Sequence, residues 1–268
     1  MTPPEPEHLH TWIGSATADR ITVAARDLPS EIMGRLTLTE LAYLLVTRRE
    51  PTPGERRILD AVLVSLADHG LTPSALAARL TYTGAPEAVQ GAVAAGLLGA
   101  GSVFLGPTGD TAEFLDAYLT VAMRRSDTHH GPQIDDASLR RIAETAVEER
   151  RAAGQRVPGL GHPVHRTEDP RTPRLYALAD EEGLLGPHLR LLTFVAEVHA
   201  ERSGRVLPIN GAGAAGAALA DIGVPPASAR GFALIARTAG LVAHLAEEAE
   251  DPIGRSLWLE AERQAGDA

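Results

Sequence analysis

The chain has 268 residues, 44% of them hydrophobic, and a formal net charge of −10 at pH 7. This is enough for one large domain or two modest ones with a buried core. It contains no Cys and no Lys, since all 25 basic residues are Arg, so disulfides, thiolate nucleophiles, Schiff bases and P-loop lysines are excluded. The acidic balance argues against a general nucleic-acid binder, which usually has a net basic surface.

The ends and apolar stretches of the chain favour a soluble protein. We expect no apolar stretch near the roughly 18–20 residues that cross a bilayer. The first ten residues, MTPPEPEHLH, lack the basic start and apolar segment of a secretory signal. We therefore expect a cytoplasmic protein without membrane or nucleic-acid partners.

The first half of the chain predicts helices with clear start signals. After a short strand candidate, Ile21–Ala24, the capping box Thr37-x-x-Glu40 predicts a helix over about 38–49. A second box, Thr52-Pro53-x-Glu55, opens a helix with one apolar face that Gly70 ends. Further helices are expected after Thr72-Pro73 and from Pro86, and Asp110-x-x-Glu113 predicts one that runs to about Arg124.

The second half is also predicted to be helical. A polar linker, Ser126–Gln133, carries His129 and His130, and a loop with several Gly and Pro spans about 155–172. A second short strand candidate is Val206–Ile209. The predicted helices span about 137–153, closed by Gly154, and then 173–182, 188–203, 212–222, 226–249 and 253–265. With two short strands and no fixed repeat, the fold is predicted to be nearly all-α.

A glycine pattern at 208–223, PINGAGAAGAALADIG, has the spacing of a dinucleotide-binding fingerprint at Gly211, Gly213 and Gly216. That fingerprint requires a parallel sheet and an acid about 20 residues further on. The corresponding stretch, Gly231–Ala236, contains no acid. We therefore expect no nicotinamide or flavin, and interpret the glycines as small residues that allow a tight turn and close helix packing.

The loop at 155–172 concentrates residues suited to chemistry. It reads Gly159-Leu-Gly161-His162-Pro-Val-His165-Arg166-Thr-Glu-Asp-Pro-Arg171. Arg side chains can bind carboxylates or phosphates through two hydrogen bonds, and loops held by a rigid scaffold often carry catalytic groups. No set of His residues shows metal spacing in the sequence, so no metal is expected.

This loop resembles the citrate synthase family, in its Gly-x-Gly-His-x-Val-(five residues)-Pro-Arg motif. Three further stretches resemble the family in the same order: 66–70 (LADHG), 90–98 (QGAVAAGLL) and 235–244 (IARTAGLVAH). In its short length and in the sequence DHGLTP at 68–73, the chain is most similar to the citryl-CoA lyase branch of the family. The C-terminal module of ATP-citrate lyase is also similar.

The resemblance implies an all-α homodimer with a large and a small domain and an active-site cleft between them. After an N-terminal tail over 1–19, the large domain would comprise 20–107 and 227–268, and the small domain 108–226. Helices near 58–69 and 87–103 would lie at the dimer interface. A partner subunit that supplies missing groups is left open.

The resemblance also implies roles for residues that bind carboxylates. His69 matches a His that binds citrate or oxaloacetate, and His162 matches the His that polarises the keto or hydroxyl oxygen. Arg171 and Arg237 match carboxylate-binding arginines. Arg255 is a looser match to a late Arg that reaches a neighbouring subunit's site.

A coenzyme A thioester is the implied second ligand, as a substrate. Arg166 matches a residue near the CoA phosphates, and Gly161 and His165 are grouped with it. Solvation or simple packing is the alternative for His165, as it is for His129, His130 and His244.

Two positions depart from the family pattern. Phe104 stands where the family has its first catalytic His, and Phe cannot donate a hydrogen bond to an enolate. Asn210 stands where the family has a catalytic Asp, and an amide has no useful basicity near neutral pH, so a general base worth about 10²–10⁴ in rate is missing. Glu168 or Asp169 could substitute for it, and Asn210 itself could hydrogen-bond the enolate.

Three functions remain open on these residues. The first is an enzyme, a citryl-CoA lyase or citrate synthase-type acyltransferase. In the cleavage direction, His162 would assist loss of the substrate hydroxyl proton. The second is a family member with shifted chemistry on another 3-hydroxyacyl- or carboxyacyl-CoA. The third is a non-catalytic subunit that binds a carboxylate or a CoA ester.

Overall fold

The computed structural model of the chain describes residues 11–125 and 134–266. The predicted polar linker with His129 and His130 lies outside the described residues. The chain divides into two compact units, Met1–Arg56 and Arg57–Ala268. The division into a large and a small domain stays a prediction.

The first unit contains a small antiparallel sheet followed by a helix. Strands β1 (Gly14–Ala16), β2 (Ile21–Val23) and β3 (Arg26–Asp27) pair in sequence order. A π-helical segment, Leu28–Ile32, leads to helix α1, Leu38–Thr47. The predicted capping box is confirmed, because the Thr37 side chain accepts from Glu40 N and the Glu40 side chain accepts from Thr37 N.

Two of these three strands were not predicted. The turn between β2 and β3 consists of Ala24 and Ala25, both at positive φ. Such two-residue turns usually carry Asn-Gly or Asp-Gly, so the sequence gives no hairpin signal here. The left-handed backbone of two Ala residues costs energy, and the hydrogen bond from Ala24 N to Ile13 O, 2.9 Å long, ties the first of them to the residue before β1.

Helices make up most of the second unit. Helix α2 (Pro53–Ala67) begins at the second predicted capping box and crosses the boundary between the units. The others are α3 (Pro73–Gly84), α4 (Val89–Ala100), α5 (Gly106–Arg125), α6 (Asp136–Ala152), α7 (Arg171–Glu181), α8 (Pro187–Ser203), α9 (Gly211–Asp221), α10 (Pro226–Glu250) and α11 (Gly254–Gly266), with a π-helical segment at Gly101–Leu105. The prediction of an all-α fold is confirmed.

Two predicted helix starts and one predicted strand are wrong. Helix α4 starts at Val89, because Pro86 belongs to a turn closed by the hydrogen bond from Ala88 N to Ala85 O. Helix α5 starts at Gly106, four residues before the predicted capping pair, because it continues directly from the π-helical segment. The predicted strand Val206–Ile209 is irregular backbone with a single bridge between Ile209 and Leu160.

The stretch Val89–Arg124 is long and apolar enough to cross a membrane by length and composition alone. The expectation that no stretch comes near this length is therefore wrong. One such stretch is weak evidence, because core helices of soluble proteins meet the same test. Nor is it one regular helix, since Gly101 has φ of 48° and ψ of −163°.

Helix α9 occupies the centre of the second unit. It packs against α5, α7, α8 and α10, and eight of its eleven residues are buried. The long helix α10 contacts α3, α4 and α5 as well. This arrangement places the N-terminus of α9 beside the 155–172 loop and one face of α10 beside the end of α2.

Candidate active site

The 155–172 loop is attached to the start of α9 by backbone hydrogen bonds. Gly161 N donates to Pro208 O at 2.7 Å, and Asn210 N donates to Gly159 O at 2.9 Å. Gly159 and Gly161 have φ of +82° and +81°, which only Gly adopts at low cost. The backbone just before His162 is therefore fixed to the segment that begins the buried helix α9.

The glycines of the apparent fingerprint serve packing, as interpreted from the sequence. A Cβ on Gly211 would lie 2.4 Å from Arg171 Nε, and one on Gly213 would lie 2.4 Å from Gly159 Cα. A Cβ on Gly216 would lie 2.1 Å from Thr108 O on α5. Each glycine thus admits a different neighbour: the Arg171 guanidinium, the loop backbone and a second helix.

His162 has a fixed orientation and a fixed tautomer. Its Nδ1 accepts hydrogen bonds from Val164 N at 3.1 Å and from His165 N at 3.0 Å. A nitrogen that accepts carries no proton, so the neutral ring is protonated on Nε2. Desolvation lowers the pKa of His162, with a smaller opposing effect of Asp169. The ring is therefore a neutral hydrogen-bond donor through Nε2 near pH 7.

Three imidazoles from two distant segments meet at this point. His69, just beyond the end of α2, has its ring centroid 5.5 Å from that of His162 and 5.7 Å from that of His165. Desolvation and the positive charge of Arg171 lower the pKa of His69. The fold thus joins the predicted carboxylate-binding His to the loop that carries His162.

The same three His residues offer nitrogen atoms within 4.8 Å of one another and could hold a metal ion. Sequence spacing does not connect His69 with the other two, which is why no such cluster was predicted. The rings of His162 and His165 are stacked at 4.5 Å with planes 28° apart. Because ring nitrogens bind metals in the plane of the ring, two nearly parallel rings do not converge on one ion unless one of them rotates.

Arg171 is held by a buried carboxylate. Asp169 is fully buried and accepts from Arg171 Nε at 2.9 Å, from Arg171 Nη2 at 2.7 Å and from Gly211 N at 2.7 Å. Burial alone would raise the pKa of Asp169, but these hydrogen bonds hold it well below its usual range. Arg171 Nη1 also donates to Ser65 O at 3.3 Å. Of five guanidinium N–H groups, two remain for a ligand.

Arg237 on α10 is buried without full pairing. Its side chain is 7% exposed, and its Nε and Nη1 have no hydrogen-bond partner in the described part of the chain. The nearest carboxylate oxygen, Asp68 Oδ2, is 3.9 Å from Nη1. Desolvation lowers the pKa of Arg237. Buried, unpaired donors of this kind are costly unless an anion completes them.

A glycine positions Arg237 against the end of α2. A Cβ on Gly240 would lie 2.0 Å from Ala67 O, so only glycine lets α10 approach this closely. Arg237 and His244 lie one turn before and one turn after Gly240 on the same face of α10. Both side chains therefore reach Asp68, the residue before His69.

Both the oxygen and the nitrogen of the Asn210 side-chain amide form hydrogen bonds that hold the local structure. Its Oδ1 accepts from Gly213 N at 2.8 Å and caps α9, and its Nδ2 donates to Gly161 O at 2.9 Å. Asn210 is 8% exposed, and one amide N–H remains for any contact with an enolate. A carboxylate at this position could cap the helix but could not donate to Gly161 O.

The remaining predicted site residues lie at the surface. Phe104 is 44% exposed in the segment before α5, and Arg166 and Glu168 are exposed in the loop. Arg255 is exposed in the first turn of α11. The assigned roles of Phe104, Arg166 and Arg255 stay predictions.

Sequence reasoning missed three residues around the site: Asp68, Arg79 and His244. His244 was expected to be solvated or packed, yet its Nε2 lies 2.9 Å from Asp68 Oδ2 and its Nδ1 accepts from Arg79 Nε at 3.1 Å. A usable signal was present, since His244 follows Arg237 by seven residues and shares its helix face.

Comparison with known proteins gives a consistent result. Residues 15–257 match the family described as citrate synthase, C-terminal domain. A citryl-CoA lyase structure from Hydrogenobacter thermophilus is 30% identical, with a TM-score of 0.77 over 90% of this chain and 87% of that one. An ATP citrate lyase from Methanothrix soehngenii, in complex with citrate and coenzyme A, shares the fold at 18% identity and a TM-score of 0.73, over 92% of this chain and 39% of that one.

Curated relatives are longer. "Putative citrate synthase 2" of Mycobacterium tuberculosis is 28% identical over 82% of this chain and 55% of its own length. The chain thus spans about half the length of the curated relatives that it matches. With the match over residues 15–257 and the likeness to the citryl-CoA lyase structure, the chain belongs to the citrate synthase family.

Proposed function

We propose that the protein is an enzyme that breaks or makes a carbon–carbon bond next to a CoA thioester in a carboxylated acyl-CoA. Citryl-CoA, interconverted with acetyl-CoA and oxaloacetate, is the proposed substrate. The likeness to a citryl-CoA lyase over nearly the full length of both chains supports this choice. The observation that carries the proposal is the buried Arg237 guanidinium, whose Nε and Nη1 lack partners.

Carboxylate recognition follows from the positive groups around the three imidazoles. Arg237 offers two unpaired nitrogen atoms, Nε and Nη1, and Arg171 offers two N–H groups. A carboxylate that leaves water needs such partners. His69 adds a third polar group on the same side. A citrate-like ligand with several carboxylates matches this set, whereas an uncharged acyl group would leave the buried Arg237 donors unpaired.

We propose that His162 acts as a donor at the substrate oxygen. With its proton on Nε2, it can stabilise an alkoxide or polarise a keto group. The same geometry is at odds with His162 as the base that removes the hydroxyl proton, because its Nδ1 lone pair already accepts two backbone N–H groups. In the cleavage direction we therefore assign proton removal to His69 or His165.

The groups expected to act on the thioester end of the substrate support a second function, a protein that binds its ligand without catalysis. The described residues of the site provide no carboxylate that is set up as a base. Asn210 replaces one, Asp169 is saturated by hydrogen bonds, Glu168 is exposed, and both oxygens of Asp68 are engaged by His244 and Gly70. A member that binds a carboxylate or a CoA ester without turning it over is the alternative. A third possibility is an enzyme of the same family whose substrate is another 3-hydroxyacyl- or carboxyacyl-CoA.

We further propose a cytoplasmic homodimer. Val64 on α2, Leu98 on α4 and Val103 after it are 77%, 82% and 75% exposed, and these lie on or beside the helices expected at a dimer interface. In this proposal the CoA phosphates lie near Arg166, beside Gly161 and His165, and Arg255 contributes to the neighbouring subunit's site.

The test is ligand binding followed by turnover. We expect millimolar citrate or oxaloacetate to raise the melting temperature, and Arg237→Met to abolish that rise. Release of acetyl-CoA and oxaloacetate from citryl-CoA is then assayed for the parent, Asn210→Asp and Asn210→Ala. Activity that appears only in Asn210→Asp would show that the natural protein is not a lyase, and an active parent with an equally active Asn210→Ala would remove Asn210 from the site.

A further inference from the structure

A series of charged and polar groups connects α3 with the candidate site, buried at Arg79 and Glu248 and 46% exposed at Asp68. Arg79 on α3 is 2% exposed and pairs with the equally buried Glu248 on α10, with Nη1 and Oε2 3.0 Å apart. It also pairs with Glu247. Its Nε donates to His244 Nδ1 at 3.1 Å, and His244 Nε2 lies 2.9 Å from Asp68 Oδ2.

The hydrogen bond from Arg79 decides which ring nitrogen carries the proton when His244 is neutral. A guanidinium N–H can only donate, so the His244 Nδ1 that faces it must be an unprotonated acceptor. The proton of the neutral ring is therefore on Nε2, where it is donated to Asp68. Each hydrogen bond in the series thus has one direction, from Arg79 to His244 and from His244 to Asp68.

Asp68 is held at a distance from Arg237 that is slightly too long for a hydrogen bond. Its Oδ2 is 3.9 Å from Arg237 Nη1. Its Oδ1 accepts from Gly70 N at 2.9 Å, which fixes the turn that carries His69. A movement of about 1 Å would let Asp68 bond directly to Arg237. The hydrogen bonds from His244 and Gly70 oppose that movement.

We propose that Arg79 and His244 are positioning residues that keep Asp68 from pairing with Arg237, so that the Arg237 donors stay available for a carboxylate of the ligand. Without His244, Asp68 would compete with the ligand as an internal carboxylate. That the ligand is a carboxylate rests on the proposed function. The direction of the two hydrogen bonds does not.

The test compares two replacements of His244 of similar size. In His244→Gln the amide oxygen can accept from Arg79 and the amide nitrogen can donate to Asp68, whereas His244→Leu can do neither. We expect citrate to bind about tenfold more weakly to His244→Leu, the effect of losing one charge-assisted hydrogen bond. His244→Gln should stay within about threefold of the parent. Equal losses in the two variants would overturn the proposal.

A double-mutant cycle separates this role from general packing. Asp68→Asn keeps an acceptor for Gly70 N but removes the competing charge. In that background we expect His244→Leu to have little further effect on citrate affinity, because no carboxylate is left to move onto Arg237. The same tenfold loss in both backgrounds would mean that His244 acts only through packing.

The tautomer is measured without ligand. In ¹⁵N NMR of the full chain, we expect the neutral His244 ring to carry its proton on Nε2. Arg79→Lys keeps a charge beside Glu248 but has no Nε–H, and should weaken this preference. A proton on Nδ1 in the parent would refute the series itself. If citrate fails to bind the parent while the tautomer is as expected, the proposed function has failed and the His244–Asp68 hydrogen bond stands.

Discussion

Replacing Gly213 with Ala tests whether the glycine pattern at 211–216 is a packing device. The added Cβ would lie 2.4 Å from Gly159 Cα, 3.0 Å from Gly159 O and 3.2 Å from Gly159 C. All three are backbone atoms of the loop that carries His162, so no flexible side chain can yield. Either α9 or the loop must shift by several tenths of an ångström.

The magnitude follows from two opposing effects. Overpacking a tight contact costs about 1–3 kcal/mol and sometimes more, whereas Ala is favoured over Gly within a helix by about 0.5–1 kcal/mol. We expect Gly213→Ala to lower the free energy of unfolding by about 1–2 kcal/mol, or the melting temperature by about 2–8 °C. Since the loop moves, the citrate-induced rise in melting temperature should shrink as well.

Gly231→Ala is the matched control. Gly231 lies in α10, and a Cβ there would meet nothing within 4 Å. This variant should be more stable than the parent by about 0.5–1 kcal/mol, because only the helix propensity changes. Thermal and urea unfolding of the three proteins measure the difference. A Gly213→Ala variant as stable as Gly231→Ala would refute the packing argument.

Three further predictions concern the polar groups. Asn210→Asp should destabilise by about 1–2 kcal/mol in urea unfolding, because the carboxylate still caps α9 but leaves Gly161 O without its donor. Asn210→Ser, which also caps without reaching Gly161 O, should lose a similar amount, and an unchanged stability in both would dismiss the Gly161 hydrogen bond. Asp169 has a pKa lowered by folding, so its contribution is present above about pH 4, the unfolded value, and is lost as the pH falls below it. Asp169→Asn should remove about 3 kcal/mol at pH 7 and flatten the dependence of stability on pH below 4, and a parallel acid profile would contradict this. Citrate should raise the lowered pKa values of His69 and His162, so calorimetry near pH 6 in two buffers of different ionisation enthalpy should detect proton uptake on binding. Its absence would place the carboxylates away from these rings.

Much of the helical fold could be predicted because its signals are local. The capping boxes at Thr37 and Thr52 and the Thr72-Pro73 start act within one helical turn, and each begins a helix in the structure. Boundaries failed where the backbone continued without such a signal, as at Gly106. The hairpin at Ala24-Ala25 was missed because its turn residues are atypical.

The candidate site was predictable as a list of residue types but not as an arrangement. The motif around His162 and the match at Arg237 followed from short stretches of sequence. Whether an arginine in such a stretch is free or engaged depends on neighbours far away in the chain. Arg171 is largely occupied by Asp169, whereas Arg237 has unpaired donors. The sequence alone does not reveal which of the two arginines is paired.

By itself, the sequence determined which chemistry is excluded and where most helices begin, since a missing Cys or Lys and a capping side chain act without regard to the rest of the fold. It also showed that Asn210 cannot be a base. Only the tertiary structure decided that Asn210 joins α9 to Gly161, that three imidazoles meet, and that Arg79 fixes the proton on His244. These depend on contacts between residues up to 176 positions apart, as for His244 and Asp68. Burial and hydrogen-bond partners, which set the charge and tautomer of a group, exist only once those segments are packed together.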